Sequence, residues 1–444
     1  MRLPLLLILP GAACAAQLEV LTLLDWQRLP VGDRAMAEGG AIVARIDGPS
    51  AGYSNPAGLA NLAQPTVSGT VSVGEYTQVA SRTPGGTAEA DDLALKPNLV
   101  GFANALSEGR GGWAFTLASP VTWASGMEVR TELATGERRD DGRSTLEITA
   151  TGLSWGGTIA TDLRAGFGLE AWITDYRYDA GTSAQDATTV LTATYTERGR
   201  QVSLRAIGGM QWDVGSWRFG GMARTPGLVL LGQGSISGSS TSGDATAVTQ
   251  TSVVDGDAAF AVPLPWQVVL GAAWMPEIIP GLELEADLAI HGGSGSVEVF
   301  GTAKGSQTVI DGLGTTITPV EQAARLVDLR PVFNPRAGLR YRFPNELWEH
   351  TIYGHLGGYI ERCPVDSSDV FSQLDMLGAT GGLSFEKGPM QLTIAGAYVT
   401  SGTLTDALSY VSSPGAGLSP ELTDPDASYS VRTFTLSIGS SYRF

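Results

Sequence analysis

A chain of 444 residues can hold two or three ordinary domains or one large barrel, and 58 glycines with only 16% charged residues favour a β-rich protein with tight turns. The formal net charge of −17 excludes nucleic acid as a partner, because its phosphates would be repelled. After the N-terminus, no apolar run approaches the roughly 18–20 residues that a spanning helix needs.

Residues 1–16 read as a secretory signal peptide. Arg2 supplies the charge, Leu3 to Pro10 the apolar core, and Ala13-Cys14-Ala15 a small-residue cleavage site. Cys14 raises the alternative of lipid attachment, against which Gly11 stands where such signals carry Leu. With Cys14 removed, Cys363 is alone and no intramolecular disulfide is possible.

Residues 17–65 lead up to the strand patterns. Within them Gly39 to Leu62, GGAIVARIDGPSAGYSNPAGLANL, fits neither the helical nor the strand period. Gly, Pro, Ser and Asn interrupt its apolar residues and favour turns. Such a segment ahead of a large sheet is predicted to form a plug rather than a strand.

From residue 66 to 444 the apolar residues alternate with period 2. The segments lie near 66–79, 96–107, 111–123, 145–161, 164–178, 199–213, 216–227, 258–275, 281–292, 331–343, 348–363, 373–386, 389–400 and 428–444. Links after even-numbered segments are tight, as at Asp213-Val214-Gly215 and Glu386-Lys387-Gly388. Those after odd-numbered segments are mostly long: 124–144, 179–198, 228–257, 293–330 and 401–427. Alternating link lengths predict an all-β fold: a transmembrane antiparallel up-and-down β-barrel of about 14 strands. Lipid offers the backbone no hydrogen bonds, so only a closed sheet survives there. In the 293–330 link, Thr318-Pro319-Val320-Glu321 reads as a capping box and predicts a short amphipathic helix through Val327.

Gly48-Pro49-Ser50-Ala51-Gly52 matches a serine-nucleophile pattern, but Pro49 and the missing flanking strand and helix argue against it. His291, His350 and His355 show no metal-ligand spacing, so neither a metal nor a cofactor is expected. Asp140-Asp141-Gly142 and Asp255-Gly256-Asp257 read as solvated loop charge. Glu283, Glu285 and Asp287 share one strand face, and Arg336, Arg340 and Arg342 share the facing one on the next strand. A lipid-facing Arg or Lys near the midplane costs about 2–4 kcal/mol, so both sets are predicted to point into the lumen. They form either an ion-pair network that anchors the plug or a site for the carboxylate of an amphiphile. Pro120 in the third strand marks either the outer end of that strand or a break in the wall.

The run Asn55-Pro56-Ala57-Gly58 resembles the N-terminal hatch of FadL-type outer-membrane transporters. Pro97-Asn98 resembles the family's entry to its second strand. Pro263-Leu264-Pro265-Trp266, followed by Gly271-Ala272-Ala273-Trp274, resembles a later strand, with Trp274 where Tyr is usual. The terminal Tyr442-Arg443-Phe444 is the aromatic ending that outer-membrane barrels tend to carry. The resemblance implies a multi-pass bacterial outer-membrane protein whose hatch plugs the lumen. It implies capture of long-chain fatty acids or other hydrophobic compounds and their lateral release beside a kinked third strand, where Pro120 lies. The expected partners are hydrophobic small molecules, detergent-like amphiphiles and outer-membrane lipid. Competing readings are a partner-binding barrel that presents exported proteins, and a diffusive porin.

Overall fold

The strand pattern closes on itself. The structure, a computed structural model, describes residues 29–83, 86–106, 111–133, 136–185, 188–345, 347, 349–368, 373–401, 404–405 and 428–444. The leader with Cys14, residues 17–28, the tight turn at 107–110 and most of the 401–427 link lie outside the described residues.

The first seven strands are β1 (Thr66–Thr83), β2 (Gly86–Ala105), β3 (Gly112–Leu133), β4 (Gly136–Ala160), β5 (Leu163–Gln185), β6 (Val190–Val214) and β7 (Trp217–Arg224). Next come β8 (Leu228–Gly243), β9 (Ala247–Ala258), β10 (Gln267–Trp274), β11 (Leu282–His291), β12 (Ser294–Phe300), β13 (Ala303–Asp311), β14 (Gly314–Gln322) and β15 (Arg325–Leu329). The last are β16 (Val332–Arg342), β17 (Thr351–Glu361), β18 (Val365–Ser368), β19 (Met376–Lys387), β20 (Met390–Ser401), β21 (Leu404–Thr405) and β22 (Ser428–Arg443). Fourteen of them form the wall, in the order β1-β2-β3-β4-β5-β6-β7-β10-β11-β16-β17-β19-β20-β22. Antiparallel pairing of β22 with β1 closes the barrel.

Alternation decides which way each residue faces. On β22, Thr433, Thr435 and Ser437 are buried against the lumen, while Phe434, Leu436 and Ile438 are exposed on the outer face. Short turns gather at one end, where Gly215 and Gly388 take left-handed backbone at φ 57 that glycine adopts freely. An aromatic girdle surrounds that end: Trp217 stacks on Trp274 at 6.1 Å, and Tyr442 meets Phe444 at 5.0 Å. An apolar belt with such a girdle on a closed sheet is the outer-membrane form, and it places the long-link end outside the cell.

Four of the expected long links are largely strand, the 293–330 link as β12 to β15. Residues 124–144 extend β3 and β4, 179–198 extend β5 and β6, and 228–257 form β8 and β9. Beyond the lipid both faces of a strand meet water, so the apolar half of the alternation disappears. The expected eighth strand at 258–275 is interrupted. β9 ends at Ala258 and β10 begins at Gln267. Between them Pro263 and Pro265 cannot donate to a ladder, and Phe260, Val262 and Leu264 turn inward. The helix expected from Thr318 is instead β14. Its β-branched Thr315, Thr316, Ile317 and Thr318 favour a strand, and as β14 pairs with β13 alone, Pro319 sits on an edge.

A small second sheet, β12-β15-β18, lies towards the long-link end. Phe300 of β12 packs on Phe260 at 4.9 Å and on Tyr176 of β5 at 5.6 Å. Their cluster continues through Trp123, Leu146 and Trp172 to Tyr53, Leu29 and Val31 of the N-terminal segment.

Candidate functional site: the filled lumen and a break in the wall

Residues 29–62 fold as two short helices, α1 (Asp33–Ala37) and α2 (Ala51–Ser54), and a 3-10 helix over Pro56–Asn61, nearly all buried within the barrel. The barrel makes room for them with inward-facing glycines. A methyl at Gly156 or Gly166 would meet the Pro56 backbone, at Gly220 that of Val43 and Ala44, and at Gly338 or Gly357 that of Glu38. Some of the glycine that reads as turns from composition is therefore a seat for backbone on the inner face.

The Asn55-Pro56-Ala57-Gly58 run is at the centre of that seat. The fully buried Asn55 side chain donates to the Val43 carbonyl at 2.8 Å and to the Met210 carbonyl of β6 at 3.1 Å. Its Oδ1 accepts from the Ala57 N–H at 3.1 Å and caps the 3-10 helix, with Pro56 at the first helical position. At Gly58 an added Cβ would come within 2.2 Å of the Ile46 carbonyl oxygen, so only glycine fits.

The acidic face of β11 meets this segment rather than a solute. Asp287 Oδ2 accepts from the Ile42 and Val43 N–H groups at 2.9 and 3.0 Å. Glu285 accepts from the Ala44 N–H at 2.6 Å and from Arg45 Nε at 2.5 Å. Arg45 also reaches Glu283 at 2.6 Å and Glu38 at 2.5 Å. Arg340 of β16 lies 3.5 Å from Glu283, and Arg336 lies 3.7 Å from Glu361. Arg342 takes no part: it is exposed at the short-turn end. Burial would raise the Glu38 carboxyl, but Arg34 and Arg45 outweigh it, and with His355 they hold Glu38 well below the usual carboxylate range.

Sequence reasoning missed a second buried cluster nearer the outer side. Arg224 of β7 pairs with Glu170 of β5 at 3.0 Å, donates to Gln267 at 2.8 Å, and sits 4.4 Å over the Tyr53 ring. Arg205 of β6 donates to the carbonyls of Thr225 and Pro265 at 2.9 and 2.7 Å and covers Trp172 at 4.7 Å. The available signal was a charge on the inner parity of each strand, at Glu170, Arg205 and Arg224. Further out, Arg325 meets Glu197 at 2.7 Å.

Pro120 lies within β3, not at its end. The β2–β3 ladder runs only from Ala105↔Gly112 to Leu99↔Ala118. Beyond it β2 pairs with β1 and β3 with β4, so among the described residues these two wall strands are unpaired through the outer part of their length. The break coincides with a β-bulge, where Ser119 and Pro120 together oppose Thr149 between Ala118↔Ala150 and Val121↔Ile148. The inner wall beside it carries Val121, Trp123, Leu146 and Ile148, all buried.

Among the described residues the Ser50 hydroxyl bonds only the Asp47 carbonyl, at 3.4 Å, and no histidine joins it. His355 instead bridges Glu38 at 3.0 Å and Ser384 at 2.8 Å, and Ser384 also bonds Thr393 at 2.9 Å. That chain is sealed beneath α1 and ties it to β17, β19 and β20.

No family model and no curated protein matches the sequence. Solved structures do match in shape. The toluene transporter TodX of Pseudomonas putida superposes with a TM-score of 0.63 at 14% identity, over 93% of this chain and 98% of that one. A FadL homologue of Pseudomonas aeruginosa gives 0.57 at 11%, over 96% and 99%. The fold is that of the FadL-type transporters. The toluene transporter TbuX of Ralstonia pickettii shares this FadL-type fold with a TM-score of 0.56 at 12% identity, over 93% and 98%.

Proposed function

We propose that the protein passes small hydrophobic molecules across the outer membrane, downhill. They enter at the extracellular sheets and leave sideways into the membrane between β2 and β3, while residues 29–62 act as the hatch. The observation that carries this reading is the unpaired stretch beyond Leu99 and Ala118, set beside an apolar inner wall and above a filled lumen. Sideways release avoids drawing an apolar chain through water, which costs about 0.8 kcal/mol per methylene. The toluene transport for which TodX and TbuX are named supports the class of substrate.

The state of the lumen arginines favours an uncharged substrate over a fatty acid. Arg45, Arg224, Arg325 and Arg340 each face a carboxylate of the protein, and Arg205 faces two carbonyls. A substrate carboxylate would have to displace one of these partners. Deleting Ser119 tests the route, because it removes the bulge and lets the β3–β4 register run unbroken. Transfer of a hydrophobic probe in proteoliposomes should fall at least tenfold with the barrel intact; undiminished transfer would refute the lateral exit.

A further inference from the structure

The outer face of β4, β5, β6 and β8 carries a basic cavity in a strongly acidic protein. Its volume is about 600 Å³, and Lys96, Arg177, Arg198 and Arg200 line it against two carboxylates, Glu147 and Asp175. Two cross-strand rows build it. In one, Asp175 opposes Arg200, 3.5 Å apart as an ion pair. In the other, Arg177 stands directly opposite Arg198. Arg177 is also bonded by Asp179, whereas Arg198 meets no carboxylate among the described residues. Glu147 opposes Asp175 in the first row, beside Arg200, whereas an anion between Arg177 and Arg198 would relieve the repulsion of like charges directly opposite on a sheet.

The height of the cavity is informative. The next row towards the short-turn end is Ile173↔Val202↔Leu231, and below it Leu169 and Phe167 are exposed on the apolar belt. Beside it, four consecutive residues, Leu228, Val229, Leu230 and Leu231, are all exposed. Cations thus sit one step above exposed apolar surface, where the headgroups of the outer leaflet meet its acyl chains.

We propose that this cavity binds the phosphorylated headgroup of an outer-leaflet glycolipid, with acyl chains lying along Leu228 to Leu231. A phosphate monoester carries about −1.5 to −2 charges and three acceptor oxygens, which lets it bridge Arg177 and Arg198 better than a monocarboxylate does. Arginine forks suit phosphate in two-point contact. The volume accommodates a sugar as well as its phosphate.

The test is native mass spectrometry of the barrel purified from outer membranes in mild detergent, counting bound glycolipid. The wild type should retain one molecule. The double variant Arg177→Gln/Arg198→Gln should lose occupancy at least tenfold, and Arg177→Lys/Arg198→Lys should keep most of it, with heat-modifiable gel migration reporting an intact barrel in each. Refolded, lipid-free wild type provides a check independent of the variants: enzymatic removal of the glycolipid phosphates should weaken binding at least tenfold. Equal occupancy in wild type and the Gln variant, no bound glycolipid, or binding indifferent to the phosphates would overturn the assignment.

Discussion

Arg45 of the lumen segment and Glu285 of β11 form a buried ion pair, with Nε 2.5 Å from Oε2. Removing the guanidinium leaves Glu38, Glu283 and Glu285 facing one another without their shared cation. Breaking a buried pair from one side typically costs about 3–5 kcal/mol. Arg45→Ala should therefore loosen residues 29–62 while the strands persist. Amide exchange in that segment should rise and ion conductance should appear in planar bilayers, with heat-modifiable migration unchanged.

Asn55 and Gly209 test the seat from both sides. Asn55→Ala removes donors to Val43 and Met210 and the cap on Ala57, leaving the Val43 carbonyl only the 3.4 Å contact from Gln211, and a buried polar group left unpaired costs about 1–3 kcal/mol. A Cβ at Gly209 would come within 2.0 Å of Asn55 Oδ1, so Gly209→Ala should expel the same side chain. The two changes act on one contact and should not add. Proteolysis of residues 29–62 in the double variant should match the worse single variant, and full additivity would argue against the shared contact.

The barrel was legible because lipid enforces the alternation. On β22 the alternation alone assigns a face to every outward apolar residue from Phe434 to Ile438. Where lipid ends the signal ends too, so residues 124–144 read as loop although they continue β3 and β4. The inward parity of Glu283, Glu285 and Asp287 was also readable, but not the partner they meet, since Ile42, Val43 and Arg45 come from a segment about 240 residues earlier. Pro120 left a strand end and a break in the wall both open; which strand loses its partner is a property of β2 and β3 together and could not be read from either alone.

Acid should release the lumen segment late. The Glu38 carboxyl is held below its ordinary value of 4.5, so its contribution is fully present above that pH and is lost only as pH falls well below it. Protection of residues 29–62, taken relative to the intrinsic amide exchange rate at each pH, should be flat from pH 7 to 4.5 and fall further down. Glu38→Gln should lower the protection already at pH 7 and flatten that acid fall. An acid fall in Glu38→Gln identical to the wild type's would assign the effect to other carboxylates.

The most direct measurement is transfer of a labelled neutral aromatic hydrocarbon and of a labelled long-chain fatty acid into proteoliposomes, beside ion conductance of the same preparation. The account predicts saturable hydrocarbon transfer, weaker fatty-acid transfer and little conductance, because the lumen is filled while, among the described residues, β2 and β3 are unpaired through the outer part of their length. Conductance without transfer would contradict it, and would make the barrel a pore for polar solutes.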